Sequence, residues 1–328
     1  MNNSSKRTTI YDIAVLAGAS PSAVSAVLNG SWKKRRISPK TAERVSKVAE
    51  EQGYSLNIQA SMLRRERSNI VGMIVPKYDN RYFGEIAEKF ESRARENGYF
   101  PVVTCTQRDP ELEIAAAREL LSHQVGALIA TGATDPDRVS DLCAAAGVKS
   151  INLDLPGTKA PSVISDNHAG ALELTRRILD QMNGNAPLIF VGGRAEDHNT
   201  SARISGFRDA CSERNNALMD DGVIACGYSP EKVEAALAAV DPSSIGGIFV
   251  NSTITLEGVV RWMRGLPADL GATIRYGCFD WDPFAAMLPG NIGMIRQDAD
   301  RMLEKTFELL EEDTPSHDVT LVDCLFVP

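Results

Sequence analysis

The stretch TIYDIAVLAGASPSAVSAVLNG, residues Thr9 to Gly30, decides how the amino-terminal end of this 328-residue chain folds. Thr9 and Asp12 stand at capping-box spacing: the Thr9 hydroxyl can accept an orphan N–H of a first turn, and Asp12 can reach back to the cap. A helix therefore starts at about Ile10, with Ile13, Leu16 and Ala17 on one face, and Gly18 permits the left-handed turn that ends it. Ser20 and Pro21 give a second start signal, because proline lacks an N–H where that group would be unpaired anyway. Val24, Val27 and Leu28 form the inward stripe. Two capped helices joined by a tight turn make a helix-turn-helix, although any helical protein can contain such a pair.

A third helix narrows the choice. Ser38-Pro39 repeats the cap-plus-proline start, Thr41 to Glu51 carries Val45, Val48 and Ala49 inward, and Gly53 closes the segment. Three helices in so short a length share one small core. Left outside on the second helix are Pro21, Ser22, Ser25, Ala26 and Asn29, a small and polar face that can approach a DNA groove closely.

The charge distribution agrees. The chain as a whole carries a net charge of −8, yet Met1 to Arg67 holds 12 Lys+Arg against 5 Asp+Glu, a net of +7, leaving 23 basic and 38 acidic residues, net −15, beyond it. A basic patch is attracted to a phosphate backbone whatever its sequence, and an acidic body discourages the rest of the molecule from lying on DNA. Apolar residues make up 43% of the chain, ordinary for a soluble protein, and no apolar run approaches the length of a membrane span. Met1 to Arg7 is polar with no hydrophobic segment after it, so no signal peptide and a cytoplasmic location are expected. Cys105, Cys143, Cys211, Cys226, Cys278 and Cys324 show no C-x-x-C pair and are expected to be reduced, non-catalytic thiols.

These residues resemble a known family, the lac repressor/galactose repressor transcription factors. The resemblance rests on Thr9-Ile10-Tyr11-Asp12-Ile13-Ala14, Ala17-Gly18, Val24-Ser25, Val27-Leu28-Asn29-Gly30, Ile37-Ser38-Pro39-Lys40-Thr41, Gly53-Tyr54 and Asn57, in order and at family spacing. The insert Ser31-Trp32-Lys33-Lys34-Arg35-Arg36 looks like the longer loop of the fructose and sucrose repressor branch. Tyr11 and Tyr54 join Thr9, the exposed face of the second helix and Lys33, Lys34, Arg35 and Arg36 as candidate DNA contacts. The resemblance also implies that the segment from Ile58 to Arg67, too short to form a stable helix alone in water, becomes a hinge helix paired with that of a second copy in the minor groove. Leu63 then stands at the family's leucine wedge, with Asn57 and Arg64 beside it; a plain linker is the competing reading.

From Asn69 onward short apolar runs alternate with amphipathic helices, the signature of parallel sheets with helical crossovers. Ile70–Val75, Val102–Cys105, Gly126–Ala130 and Ser150–Leu153 read as strands, with helices over Phe83–Asn97, Glu111–Ser122 and Asp137–Ala146 between them. A second half follows, from a helix over Ala169–Met182 to a strand over Ile274–Phe279. The fold class is therefore α/β: a three-helix head at 1–56, a hinge at 57–68, and a body at 69–328 of two doubly wound, Rossmann-like subdomains. The first is expected over about 69–166 plus 297–318 and the second over 167–296 plus 319–328. A single closing strand is expected over Val319–Phe326.

In such sheets ligands sit outside the carboxyl ends of the strands, which directs attention to Lys77 to Tyr82, Asp154, Arg194 to Arg203, Asn251-Ser252, Asp280 and Arg296-Gln297. The resemblance implies a body like a periplasmic sugar-binding protein, with Tyr82 and Phe83 at the effector mouth, Asp154 and Asp280 as carboxylates after strands, Arg203 as the effector-binding arginine and Tyr228 as the stacking aromatic. Asn199, Ser252 and Gln297 complete the candidate set. Paired carboxylates accept hydroxyl hydrogen bonds, a guanidinium donates two, and an aromatic face covers the apolar side of a sugar. Arg203 and Asp280 could equally form a structural ion pair. A phosphorylated sugar would draw on Arg81, Arg194 or Arg296.

The expected function is a transcriptional regulator, most simply a repressor of sugar-metabolism genes, whose operator binding responds to a sugar or sugar phosphate in the cleft. The alternative is a cytoplasmic solute sensor answering to another metabolite such as a purine. An enzyme is not expected: there is no G-x-G-x-x-G or G-x-x-x-x-G-K-[ST], no nucleophile elbow, and no metal spacing among His123, His168, His198 and His317. No cofactor or metal is therefore expected. Ala26 replaces an arginine common in the family's reading helix, and Leu56 replaces the usual proline before Asn57, so the resemblance carries no operator sequence. With no leucine heptad tail before Pro328, a homodimer on a pseudo-palindromic operator is the expected assembly.

Overall fold

The computed structural model describes residues 8–54, 68–182, 186–214, 222–313 and 317–328. Asn57, Leu63 and Arg64, the residues named for the hinge, lie outside them. The chain forms two compact units, Met1–Ser68 and Asn69–Pro328.

The head consists of α1 (Ile10–Ala17), α2 (Pro21–Leu28) and α3 (Pro39–Glu51). Its caps follow the sequence. The Thr9 N–H donates to Asp12 at 2.8 Å and the Asp12 N–H to the Thr9 hydroxyl at 3.3 Å, completing the capping box. Gly18 then turns the chain at φ 54°, and Ser20 and Ser38 accept the N–H groups of Ala23 and Thr41. Ile13, Ala14, Ala17, Val24, Val27, Ala42, Val45 and Ala49 form the core, with Val48, Trp32 and Tyr54 packed against it.

Two expectations fail in the head. Leu16 is 56% exposed: Ile13, Ala14 and Ala17 centre the buried face one step further round, and Leu16 falls beyond its edge. Ala26, placed on the outer face from the sequence, is 3% exposed. The insert doubles back here, the Ser31 hydroxyl donating to the Ala26 carbonyl at 3.3 Å while Trp32 packs on the core.

The body contains two six-stranded sheets. β1 (Ile70–Val75), β2 (Phe100–Cys105), β3 (Ala127–Thr131), β4 (Lys149–Leu153), β5 (Ser162–Ser165) and β11 (Val319–Val322) form the first, in the order β11-β5-β4-β3-β1-β2 and parallel throughout. Its crossovers are α4 (Arg81–Glu96), α5 (Pro110–Ser122) and α6 (Pro136–Ala145), and α11 (Ala299–Glu311) packs beside α4. The second sheet joins β6 (Leu188–Val191), β7 (Val223–Ile224), β8 (Gly247–Val250), β9 (Arg275–Phe279), β10 (Asn291–Gln297) and β12 (Cys324–Val327) in the order β12-β10-β9-β8-β6-β7. Only β12 is antiparallel to its neighbour there. α7 (Asn167–Gln181), α8 (His198–Glu213), α9 (Pro230–Leu237) and α10 (Thr253–Arg264) cover its faces.

The order reverses between β1 and β3 in one sheet and between β6 and β8 in the other, so each half has a switch point whose carboxyl side can receive a ligand. The chain passes between the subdomains three times, at 165–167, 297–299 and 322–324. The last crossing corrects the single closing strand: Val319–Val322 pairs with β5 and Cys324–Val327 with β10, divided at Asp323. Residues 319–322 therefore belong to the first subdomain. Burial pushes the Cys143 and Cys211 thiols up to about 12, which keeps both protonated. Among the described residues no single helix is long and apolar enough to cross a membrane.

Candidate functional site

The expected cleft residues converge at the carboxyl ends of the two sheets. Asp154 follows β4 and Asp280 follows β9, each the fourth strand of its half. Both adopt left-handed backbone, at φ 74° and 68°, a conformation costly for residues other than glycine that persists where the surroundings fix it. The repeated topology thus turns one carboxylate from each subdomain into the cleft.

Arg203 joins them. It lies one turn into α8, is 3% exposed, and donates from Nε to Asn167 at 2.8 Å and from Nη1 to the Asn251 carbonyl at 2.7 Å. Its Nη2 stands 3.8 Å from Asp280 Oδ1, and its guanidinium carbon 3.7 Å from the Phe279 ring centroid. Three neighbours therefore fix the guanidinium before any ligand arrives, while the long Asp280 contact is looser than a direct hydrogen bond.

Tyr82 and Asn199 meet on Asp154. The Tyr82 hydroxyl donates to Asp154 Oδ1 at 3.1 Å, and the Asn199 amide approaches the same oxygen at 3.3 Å. Asn199 in turn accepts from Asn167 at 3.1 Å. Burial pushes the Asp154 carboxyl up to about 6, against the opposing charges of Arg108 and Arg203. On the other side Gln297 donates to Asp280 at 2.7 Å and accepts from the Ser165 hydroxyl at 2.7 Å. Tyr228 shares a 2.9 Å hydrogen bond with Thr200, and Phe83 packs its ring beside Tyr82. Ser252 is buried, but its hydroxyl is engaged as the cap of α10, bonded to the hydroxyl and N–H of Thr255 at 3.0 and 3.3 Å.

The three arginines expected to offer charge to a phosphate are paired. Arg81 meets Asp282 at 2.6 Å, Arg194 meets Asp197 at 3.1 Å, and Arg296 meets Glu85 at 2.7 Å. Two further residues join the candidate set, Asn251, which the strand-end rule had pointed to, and Arg108, which had not been named. The Asn251 side chain is fully buried with no hydrogen-bond partner at either its Oδ1 or its Nδ2, an arrangement costly unless a ligand completes it. Arg108, just beyond β2, lies 5.5 Å from the Phe83 ring centroid and 5.7 Å from that of Tyr228. The rule that selects polar residues after parallel strands also selects Arg108, since Thr106-Gln107-Arg108-Asp109 directly follows β2.

An apolar hollow of about 510 Å³ lies elsewhere in the second subdomain, lined by residues including Val260, Met263, Leu266, Tyr276 and Leu288 and by none of the converging polar groups. Among the described residues no group of three His, Cys, Asp or Glu side chains could hold a metal ion.

In the head, Tyr11, Pro21, Ser22, Asn29 and Lys33 to Arg36 are exposed, and Ser25 is half-buried, accepting from Asn29 at 3.2 Å. The Thr9 hydroxyl is committed to Asp12, and Tyr54 packs on the core. Lys33 Nζ lies 5.5 Å from the Trp32 ring, so the insert is anchored by its tryptophan and presents its cations outward.

Residues 9–57 match the model of bacterial regulatory proteins of the lacI family, and residues 71–285 match the periplasmic binding protein domain. The chain belongs to the lacI family. It is similar to the ribitol operon repressor of Klebsiella aerogenes, 61% identical over 193 residues that span 58% of this chain and 72% of that protein. Over nearly its full length it is similar to the sucrose operon repressor of Klebsiella pneumoniae, 30% identical over 94% of this chain and 92% of the relative. The fructose operon regulatory protein of Vibrio cholerae is 34% identical over 92% of each chain. The fold matches that of the lac repressor dimer bound to operator, with a TM-score of 0.81, 21% identity and 98% of each chain covered. As a lacI-family protein the chain is a DNA-binding transcriptional regulator rather than an enzyme, with its helix-turn-helix at the amino-terminal end and a sensor body after it.

Proposed function

We propose that this chain is the cytoplasmic repressor of an operon for the use of a small polyol or sugar. Two copies grip a pseudo-palindromic operator through Tyr11, Pro21, Ser22, Ser25, Asn29 and the cations Lys33 to Arg36. A neutral ligand of the ribitol type, or the keto sugar formed by its oxidation, binds between the subdomains and releases the DNA.

Charge balance carries the ligand class. The Asp154 and Asp280 carboxylates face two cations, Arg203 and Arg108, while Arg81, Arg194 and Arg296 are held by carboxylates of their own. That set suits hydroxyl groups, which both donate and accept, better than a phosphate dianion, which needs surplus positive charge. Asp154, Asp280, Asn199 and Asn251 would take hydroxyls, Arg203 would orient the chain of carbons, Phe83 and Tyr228 would cover its apolar side, and Tyr82 and Gln297 would hold the two carboxylates. Ser252 supports the site as a helix cap. The 61% identity to a ribitol operon repressor points to the same ligand class.

Fluorescence anisotropy on DNA from upstream of the gene tests the reading, titrated with ribitol, ketopentoses, fructose and their phosphates. Release by a neutral five-carbon compound is expected. Release by phosphates alone would overturn the ligand class, and tighter DNA binding on ligand addition would overturn the direction of the switch. Arg203→Ala should abolish the response while leaving operator affinity intact.

A further inference from the structure

Arg108, whose charge acts on Asp154, also reaches across the cleft. Gln107 and Arg108 both adopt left-handed backbone, at φ 55° and 57°, and the Asp109 N–H returns to the Thr106 carbonyl at 2.9 Å. This tight fold turns the arginine back toward the cleft, and Thr106 anchors it by donating its N–H to the Val75 carbonyl at 2.9 Å. The guanidinium reaches both Phe83, on α4 of the first subdomain, and Tyr228, ahead of α9 in the second. Phe83 is buried, whereas Tyr228 and Arg108 are half-buried, so the bridge lies where the cleft meets solvent. Among the described residues no carboxylate stands within ion-pairing distance of Arg108.

Two ring contacts without an ion pair make a closure that is weak enough to open and wide enough to obstruct. A cation over an exposed ring contributes little on its own, yet two contacts on opposite walls act only while the walls are close. The walls are also tied at depth, through Tyr82, Asp154 and Asn199, and along α4, through the Arg81–Asp282 and Glu85–Arg296 ion pairs. A ligand that extends past the bridge would have to displace it.

We propose that Arg108 sets the length of ligand the cleft accepts, its guanidinium clasped between Phe83 and Tyr228 across the mouth so that a five-carbon polyol is enclosed and a two-ring sugar is refused. This rests on the polyol reading of the cleft for its ligand, but the clasp itself is measurable without one.

Hydrogen exchange and stopped-flow binding on the full-length protein test it, comparing wild type with Arg108→Ala and Arg108→Lys and using ribitol, a ketopentose and sucrose as probes. In the ligand-free Arg108→Ala protein the amides of 81–84 and 226–229 should exchange faster, the five-carbon ligand should dissociate about tenfold faster, and sucrose should gain measurable binding. Arg108→Lys should fall between. Unchanged exchange in both segments would overturn the clasp. Faster exchange with sucrose still excluded would overturn the length filter, and loss of the five-carbon ligand with unchanged exchange would make Arg108 a direct ligand contact instead. Faster exchange in a protein whose wild type binds no five-carbon compound would leave the clasp standing and the polyol reading refuted.

Discussion

Gln297 donates its side-chain N–H to Asp280 at 2.7 Å, and so ties a cleft carboxylate to one of the three crossings between the subdomains. Its amide oxygen accepts from Ser165, at the end of β5 on another crossing. Any change in the angle between the subdomains therefore acts on Asp280 through one amide. Gln297→Leu removes both hydrogen bonds from a site that is 4% exposed and frees Asp280 to pair directly with Arg203. Ligand affinity should fall about tenfold, the cost of one or two hydrogen bonds to a charged group, with operator binding retained. Calorimetric titration of the variant with its ligand checks this; unchanged affinity would show that Asp280 is positioned without Gln297.

Gly206 lies where the backbone of α7 comes close to α8. A Cβ there would stand 2.2 Å from the His168 carbonyl oxygen and 3.0 Å from the Leu172 nitrogen, both backbone atoms that cannot rotate away. Gly206→Ala must push the helices apart, at a cost of about 1–3 kcal/mol or more. Because α8 carries Asn199 and Arg203 and α7 carries Asn167, the shift should weaken ligand binding as well. Thermal unfolding should show a lower midpoint, by roughly 2–4 °C for each kcal/mol of destabilisation in a body of this size; a midpoint equal to wild type would refute the close-approach argument.

Lys33 and Lys34 test the DNA-binding surface. Both are exposed on the insert that Trp32 anchors, so replacing them by alanine removes charge without disturbing the core. If they neutralise phosphates, the slope of log K against log salt should flatten by about 0.9 for each phosphate left without its lysine. Anisotropy titrations from low to moderate salt read the slope. An unaltered slope would place the insert away from the duplex.

What the sequence made legible follows its short-range chemistry. Thr9 and Asp12, Ser20 with Pro21, and Ser38 with Pro39 each announce a helix start within four residues, and the structure places the starts there. Asp154 and Asp280 were legible because strand ends in a doubly wound fold are recognisable from the apolar runs before them, whereas Arg203, inside α8, was singled out by the family resemblance. The failures involve partners distant in sequence. Ser162–Ser165 is a strand of four residues, two of them serine, and its burial comes from β4 and β11 rather than from its own apolarity. Gly293, at φ 151° and directly against Phe326, interrupts the apolar alternation of β10. Ala26 looked exposed because nothing in α2 reveals that the following insert folds over it.

Asp154 gives the cleft a pH dependence with a definite sign. Burial raises its carboxyl to about 6, above the ordinary value of about 3.9. The ligand-free folded state therefore holds this proton more tightly than the unfolded chain. The resulting stabilisation is complete below the unfolded value and is lost as pH rises through about 6, amounting to at most about 3 kcal/mol, since each tenfold gain in proton affinity is worth about 1.4 kcal/mol. Asp154→Asn cannot ionise and still accepts from Tyr82, so its melting midpoint should exceed that of wild type at pH 7.5 and lose that advantage towards pH 4. Ligand binding has the opposite slope. Hydroxyls that donate to Asp154 favour its ionised form, so binding releases a proton and wild-type affinity should rise between pH 5 and pH 7, roughly tenfold if the carboxyl returns to its ordinary range. In Asp154→Asn the affinity should be lower and flat over that interval. Calorimetry in two buffers of different ionisation enthalpy counts the released proton directly; a wild-type affinity independent of pH, with no proton released, would show that the ligand does not use this carboxylate.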